Sequence, residues 1–182
     1  MRTRTRQTQT KARLRHHLKP SPRLTRMRLK LKNRKANDQP AWRIDRAGAH
    51  DLPQCVSIYN RARARSDCFD GPDIDLTQFL TLTQDEALFI AIHTDGQIGG
   101  FASVFEPASF IHHLYIDPEV QRSGLATLLT NVACQHCASP PRLKCLIVNH
   151  AARAFYRSLG WHESENPEFS HEGDWIWITA RS

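Results

Sequence analysis

From residue 41 onward the apolar residues fall into short blocks separated by turn formers, whereas before it they are scattered among basic and polar residues. AWRID, residues 41–45, predicts a first strand. His50-Asp51-Leu52-Pro53 predicts a helix start, since Asp and Pro suit a first turn, and the helix runs to about Arg65. Its Leu52, Val56, Ile58 and Tyr59 fall on one face. Turn formers fill 66–73 (SDCFDGPD), and 74–84 predicts a second, shorter helix. Two apolar runs, 87–93 and 98–106, flank a TDGQ turn and predict a β-hairpin, which SFIHHLYID (109–117) extends by a third strand. A helix of about fifteen residues begins at Gly124. A strand at 143–148, a helix at 149–160 ended by Gly160, and a strand at 174–180 complete the chain. The order β-α-α-β-β-β-α-β-α-β, without internal repeats, predicts an α/β or α+β fold, a mixed sheet covered by helices. Residues 109–117, 124–137 and 143–148 form a βαβ unit, so its two strands are expected as parallel neighbours.

At 182 residues the chain fits one domain plus an appendage, enough to bury a core without staples. No apolar run approaches the ~20 residues of a membrane span, so no membrane partner is expected. Charge separates the two parts. Residues 1–37 carry 14 Lys/Arg and no acid, while 38–182 carry a net −7. Without aromatic residues and under strong self-repulsion, the segment 1–40 is expected to be a disordered basic extension. Three roles compete for it: a solvated extension, with an upstream start and the working start nearer Met27 as one version; a weak contact to polyanions; or an organelle-targeting peptide. No apolar signal core is evident, and the expected location is the cytoplasm. Five cysteines (55, 68, 134, 137 and 145) read as free thiols. Cys134-Gln135-His136-Cys137 suggests zinc, but it lies within a helical run and lacks a second ligand pair, so no metal is expected.

The segment YIDPEVQRSGLATLL (115–129) carries chemistry. The first N–H groups of a helix lack internal partners and carry partial positive charge. A phosphate can accept their hydrogen bonds where side chains stay small, as Gly124 and Ala126 do, with Arg122 alongside. A plain tight turn has the same local features. The wider pattern separates the two. QRSGLA fits the Q/R-x-x-G-x-G/A pyrophosphate loop of the GNAT family of N-acetyltransferases, with Ala126 where many members have Gly. LYIDP resembles that family's fourth strand, and VNHAARAFYRSLGW resembles its later Asn-x-x-A-x-x-F/Y-Y-x-x-x-G-F/W segment. The resemblance covers residues 41–182 and implies a GNAT-type, mostly antiparallel sheet flanked by helices.

The resemblance also implies acetyl-CoA as co-substrate. Gln121, Arg122, Ser123, Gly124, Leu125 and Ala126 would hold its pyrophosphate. The backbone of Leu114, Tyr115 and Ile116 would pair with its pantetheine arm where two strands splay, and Asn149 would contact that arm while also capping a helix. Acetyl transfer to an amine needs a donor for the leaving thiolate, and Tyr156 is the candidate acid, with plain core packing as its alternative. For the base, His112 comes first, Glu106 second and His113 third; simple strand alternation puts Phe110, His112 and Leu114 on one face and Ile111, His113 and Tyr115 on the other. Asp67, Asp70, Asp73, Asp75, Glu163, Glu165 and Glu168, beside Phe69, Trp161 and Trp175, suggest an acidic mouth for a small cationic amine, or ordinary solvated loop charge. A monomer or homodimer that acetylates a small primary amine is the leading expectation. The alternatives are a protein or peptide N-acetyltransferase, a non-catalytic acyl-CoA-binding module, and a nucleic-acid-binding protein acting through its tail.

Overall fold

A computed structural model of the chain describes residues 41–170 and 173–181. The basic segment 1–40, with the roles expected of it, lies outside the described residues. The elements in chain order are β1 (Trp42–Arg46), α1 (Leu52–Ala64), α2 (Leu76–Leu82), β2 (Ala87–His93), β3 (Ile98–Phe105), β4 (Phe110–Ile116), α3 (Leu125–Gln135), β5 (Arg142–Leu146), α4 (His150–Ser158), β6 (His162–Glu163), β7 (Glu168–Ser170) and β8 (Gly173–Thr179). The strands form one sheet in the order β1-β2-β3-β4-β5-β8-β6, with β7 also paired to β8. All pairings are antiparallel except β4 with β5, the expected βαβ pair. The two short strands β6 and β7 are additions to the sequence-based order.

Local chemistry explains the helix ends. Asp75 and Gln78 form a reciprocal capping box on α2: Asp75 Oδ1 accepts from Gln78 N–H at 2.8 Å, and Gln78 Oε1 accepts from Asp75 N–H at 2.9 Å. Asn149 caps α4 by accepting from Ala152 N–H at 3.0 Å. At α1 the Asp51 carboxylate instead accepts from Gly48 N–H at 2.8 Å and braces the preceding turn.

Period-2 alternation divides the core into two layers. Ala87, Phe89 and Ala91 of β2 meet α3 and α4 in one cluster; Leu88 and Ile90 meet Cys55, Ile58 and Tyr59 of α1 and Phe79 of α2 in the other. Two bulges break the alternation. One, at Gly99 in β3, brings Ile98 and Phe101 onto the same face. The second corrects the alternation expected for β4. Ser103 pairs with His113 but Val104 pairs with Ile111, so His112 is an extra residue. Ile111 therefore joins the cluster that Leu114 and Ile116 pack against, while His112 and His113 both turn toward Glu86.

Gly99 connects the far edge of the sheet to α3. A Cβ there would lie 2.5 Å from the Trp42 ring and 2.9 Å from Leu125 Cδ1, and the Gly99 carbonyl accepts from Asp117 N–H at 2.9 Å. Overpacking of this kind costs about 1–3 kcal/mol. Gly99→Ala is expected to lower the midpoint of thermal unfolding by several degrees, measured by circular dichroism on the full chain; an unchanged midpoint would show that Trp42 and Leu125 yield freely.

Candidate active site

β4 and β5 share one register pair, Phe110 with Arg142, and then part. Beyond it, β4 and β5 share no further register pair among the described residues, so the edge of β4 past Ile111 lies open toward β5. A cavity of about 500 Å³ fills the cleft. Leu114 and Tyr115 of β4, Cys145 and Leu146 of β5, and Asn149 and Tyr156 around α4 are among its walls. The backbone edge of β4 can accept an added extended chain by the logic of strand augmentation. Ile116 is half-buried just beyond these walls.

The turn into α3 presents the second part of the site. Arg122 and Gly124 take left-handed backbone angles, φ +63° and +89°, which aim successive N–H groups into one concavity. Gln121, Arg122, Ser123 and Gly124 are exposed, and Leu125 is buried and anchors the turn in the core. No acceptor meets the N–H groups of residues 121–127 among the described residues. A Cβ on Gly124 would meet nothing within 4 Å, so the turn leaves open space above it. Ala126 is the second residue of α3. Ser123 Oγ donates to the Val120 carbonyl at 2.6 Å and ties the turn to the 3₁₀ turn (Pro118–Val120) that follows β4. Such a donor-rich turn fits a pyrophosphate.

Tyr156 is buried, with its ring centroid 5.2 Å from that of Trp161 and 5.0 Å from that of Phe155. Burial pushes its phenol well above the ordinary range, and the Cys145 and Cys134 thiols act in the same direction. It therefore holds its proton on the wall of the cleft. Packing and proton holding are compatible roles for this residue.

Opposite lies a polar network that sequence reasoning only half found. His112 Nδ1 lies 2.6 Å from Glu86 Oε1, and Ser103 Oγ shares a 2.9 Å hydrogen bond with His113 Nδ1. The Glu86 side chain is 6 % exposed, and its Oε2, 3.7 Å from His113 Nδ1, has no hydrogen-bond donor. Burial works against this carboxylate's charge; the hydrogen bond from His112, with His113 and Ser103 alongside, overcomes it and holds Glu86 down at about 2. An ionised carboxylate only accepts, so Nδ1 of His112 is the donor, and in the neutral ring the lone pair sits on Nε2. Burial lowers His113 despite Glu86, so this imidazole stays neutral. The donor atoms of Glu86, His112 and His113 lie within 4.8 Å of one another, a spacing that also suits a cation. With His112 already donating to Glu86, the hydrogen-bonded network is the better account. Only the bulge brings both histidines to Glu86, and a period-2 pattern carries no sign of it.

Other expected residues fall elsewhere. Glu106 lies in the 3₁₀ turn after β3 and pairs with His136 at 3.1 Å at the end of α3; it is not on the cleft wall, because β3 has ended before reaching it. Of the acidic mouth only Glu168 lines the cleft, beside Phe69 and Trp175. Glu168 is held by Lys144 and by Trp177 Nε1, Glu163 by Arg153 and Arg157, and Asp75 caps α2. Asp67, Asp70, Asp73 and Glu165 are exposed and do not line the cleft, and Trp161 is core. Cys134 and Cys137 are free thiols in and just after α3. No helix of the described residues is long and apolar enough to cross a membrane.

The family model described as acetyltransferase (GNAT) domain matches residues 67–179. No curated protein matches the chain. Among solved structures, yncA from Salmonella typhimurium with its cofactor acetyl-CoA aligns at a TM-score of 0.61 and 18 % identity, over 78 % of this chain and 94 % of that one. A GNAT phosphinothricin acetyltransferase from Sinorhizobium meliloti in complex with acetyl-CoA aligns at 0.59 and 17 %, over 76 % and 87 %. A ribosomal-protein-alanine N-acetyltransferase from Brucella melitensis aligns at 0.57 and 22 %, over 75 % and 98 %. These likenesses establish a shared fold, and the family match spans more than half of the chain: the protein belongs to the GNAT acetyltransferase family.

Proposed function

We propose that the protein acetylates a primary amine, using acetyl-CoA as co-substrate and transferring the acetyl group directly between two substrates held in the β4–β5 cleft. The observation that carries this reading is the meeting, in one cleft, of an open strand edge, a protonated buried phenol and an imidazole whose free nitrogen is set by a carboxylate. When bound, acetyl-CoA supplies the acetyl group as an activated thioester. The N–H groups of Gln121 to Ala126 hold its pyrophosphate, the backbone of Leu114 to Ile116 pairs with its arm, and Asn149 flanks that arm. His112 Nε2 takes the proton of the incoming ammonium, so that the amine becomes a nucleophile. Glu86 positions the ring and stabilises the resulting imidazolium. Tyr156 keeps a proton on its phenol oxygen for the leaving sulfur. The expected cationic acceptor rested on an acidic rim, and since only Glu168 of that rim lines the cleft, held there by Lys144 and Trp177, the proposal is not restricted to cations.

Gly124→Glu introduces both bulk and negative charge where the phosphate would sit. Calorimetric titration of acetyl-CoA into the full chain is expected to show binding that this variant weakens by about 100-fold or more, with the variant's circular dichroism unchanged. Equal binding by both proteins would remove the turn from the site.

Tyr156→Phe is expected to lower kcat by about 100-fold while leaving acetyl-CoA affinity within about twofold, read from thiol release and calorimetry. An unchanged kcat would return Tyr156 to a packing role.

Glu86→Gln removes the carboxylate that fixes which His112 nitrogen is free, and it is expected to lower kcat about 10-fold or more while leaving acetyl-CoA affinity within about twofold, read from thiol release and calorimetry. An unchanged kcat would separate Glu86 from the base.

A further inference from the structure

Arg63, in the last turn of α1, lines the cleft with its guanidinium carbon 4.3 Å from the centre of the Phe69 ring and 5.2 Å from that of Tyr59. The two rings orient the planar group and shield it from water. Arg63 meets no carboxylate among the described residues. Its neighbours in α1 differ: Arg61 is paired with Asp117 at 2.5 Å, and Arg65 is exposed and off the cleft. Glu168, the carboxylate on the cleft wall, is committed to Lys144 and Trp177. The Tyr115 phenol beside Arg63 is pushed up to about 12, chiefly by burial, and supplies no negative charge. The phosphate-binding turn belongs to α3 and is not among the residues surrounding Arg63.

A fixed, half-buried cation without a counterion in a substrate cleft calls for an anion from the substrate. Arg63 shares its wall with His113, whose ring lies 3.9 Å, centroid to centroid, from that of His112. We propose that Arg63 is the acceptor-carboxylate subsite, and that the amine acetylated belongs to a carboxylate-bearing compound of the α-amino-acid class. This deepens the function proposed above and rests on it. The carboxylate takes the fork of the guanidinium in a bidentate pair, which leaves the amine on the histidine side of the cleft.

The test compares acetylation by the full chain of common α-amino acids with that of the amines left when their carboxyl group is removed. The carboxylate-bearing partner of at least one pair is expected to be favoured by about 10- to 100-fold in kcat/KM. Arg63→Gln should erase that preference by raising KM for the acid and leaving the decarboxylated amine unchanged. Arg63→Lys should retain part of it, and Arg65→Gln all of it. Equal use of both series by the unmodified protein, equal loss on both series in Arg63→Gln, or acetylation of peptide N-termini alone would overturn the assignment. If neither series is acetylated, titration of N-acetylated amino acids decides: binding that Arg63→Gln abolishes supports the subsite, and no binding overturns it. Acetyl-CoA titration reports separately on the acetyltransferase reading, so the two failures are distinguishable.

Discussion

Backbone N–H and C=O groups inside a fold need partners, and past Ile111 the edge of β4 finds no register pair on β5 among the described residues. The closed end of the gap is locked by the Phe110–Arg142 pair and by Trp177, which packs on Phe110 with centroids 5.9 Å apart and lies 4.8 Å beneath the Arg142 guanidinium. The open end is held by pairing elsewhere. β5 is matched along its whole length to β8, and β4 along its length to β3, so neither strand is free to swing across and close the cleft. The resulting cleft, about 500 Å³ in volume, has walls that mix apolar side chains such as Leu114, Leu143 and Leu146 with polar ones such as His112 and Asn149. A chain that can hydrogen-bond like a strand suits it, and such a chain is what the family's co-substrate carries.

Two one-residue irregularities turn this opening into a chemical site. The bulge at Gly99 lets Trp42 lie against bare backbone, and the same glycine touches Leu125, the first residue of α3. The position of the turn into α3 is thereby tied to packing at the opposite edge of the sheet. At His112 the extra residue keeps Ile111 in the core and aims two neighbouring imidazoles at one carboxylate. A buried carboxylate is costly unless donors surround it, and Glu86 remains ionised because the bulge supplies them.

Element order and the βαβ pair were legible because long apolar blocks and glycine turns dominate this sequence. Asn149 before α4 was readable as a cap because its effect is local, whereas Asp75, counted with the acidic mouth, caps α2 with Gln78. β6 and β7 escaped because two or three polar residues carry no periodicity. The turn into α3, proposed to hold the pyrophosphate, and Tyr156 were accessible through motif spacing. Glu86 and Arg63 were not, since each owes its significance to residues far along the chain. The acidic mouth misled for the same reason in reverse: composition placed Glu163 and Glu168 near a site, but their charges are neutralised by Arg153, Arg157 and Lys144.

The two faces of the sheet rest on separate cores. α3 and α4, which carry the turn and Tyr156, pack in one cluster, and α1 and α2 pack in the other. The family match begins at residue 67, beyond α1, so Tyr59 and Arg63 lie outside it. α1 nonetheless touches the cleft strand: Tyr59 packs on Tyr115 of β4 with centroids 4.8 Å apart, and Arg61 pairs with Asp117 just past that strand. Drift in α1 can therefore reshape that side of the cleft only within the limits set by Tyr115 and Asp117, two of the contacts that join the unmatched segment to the family's sheet.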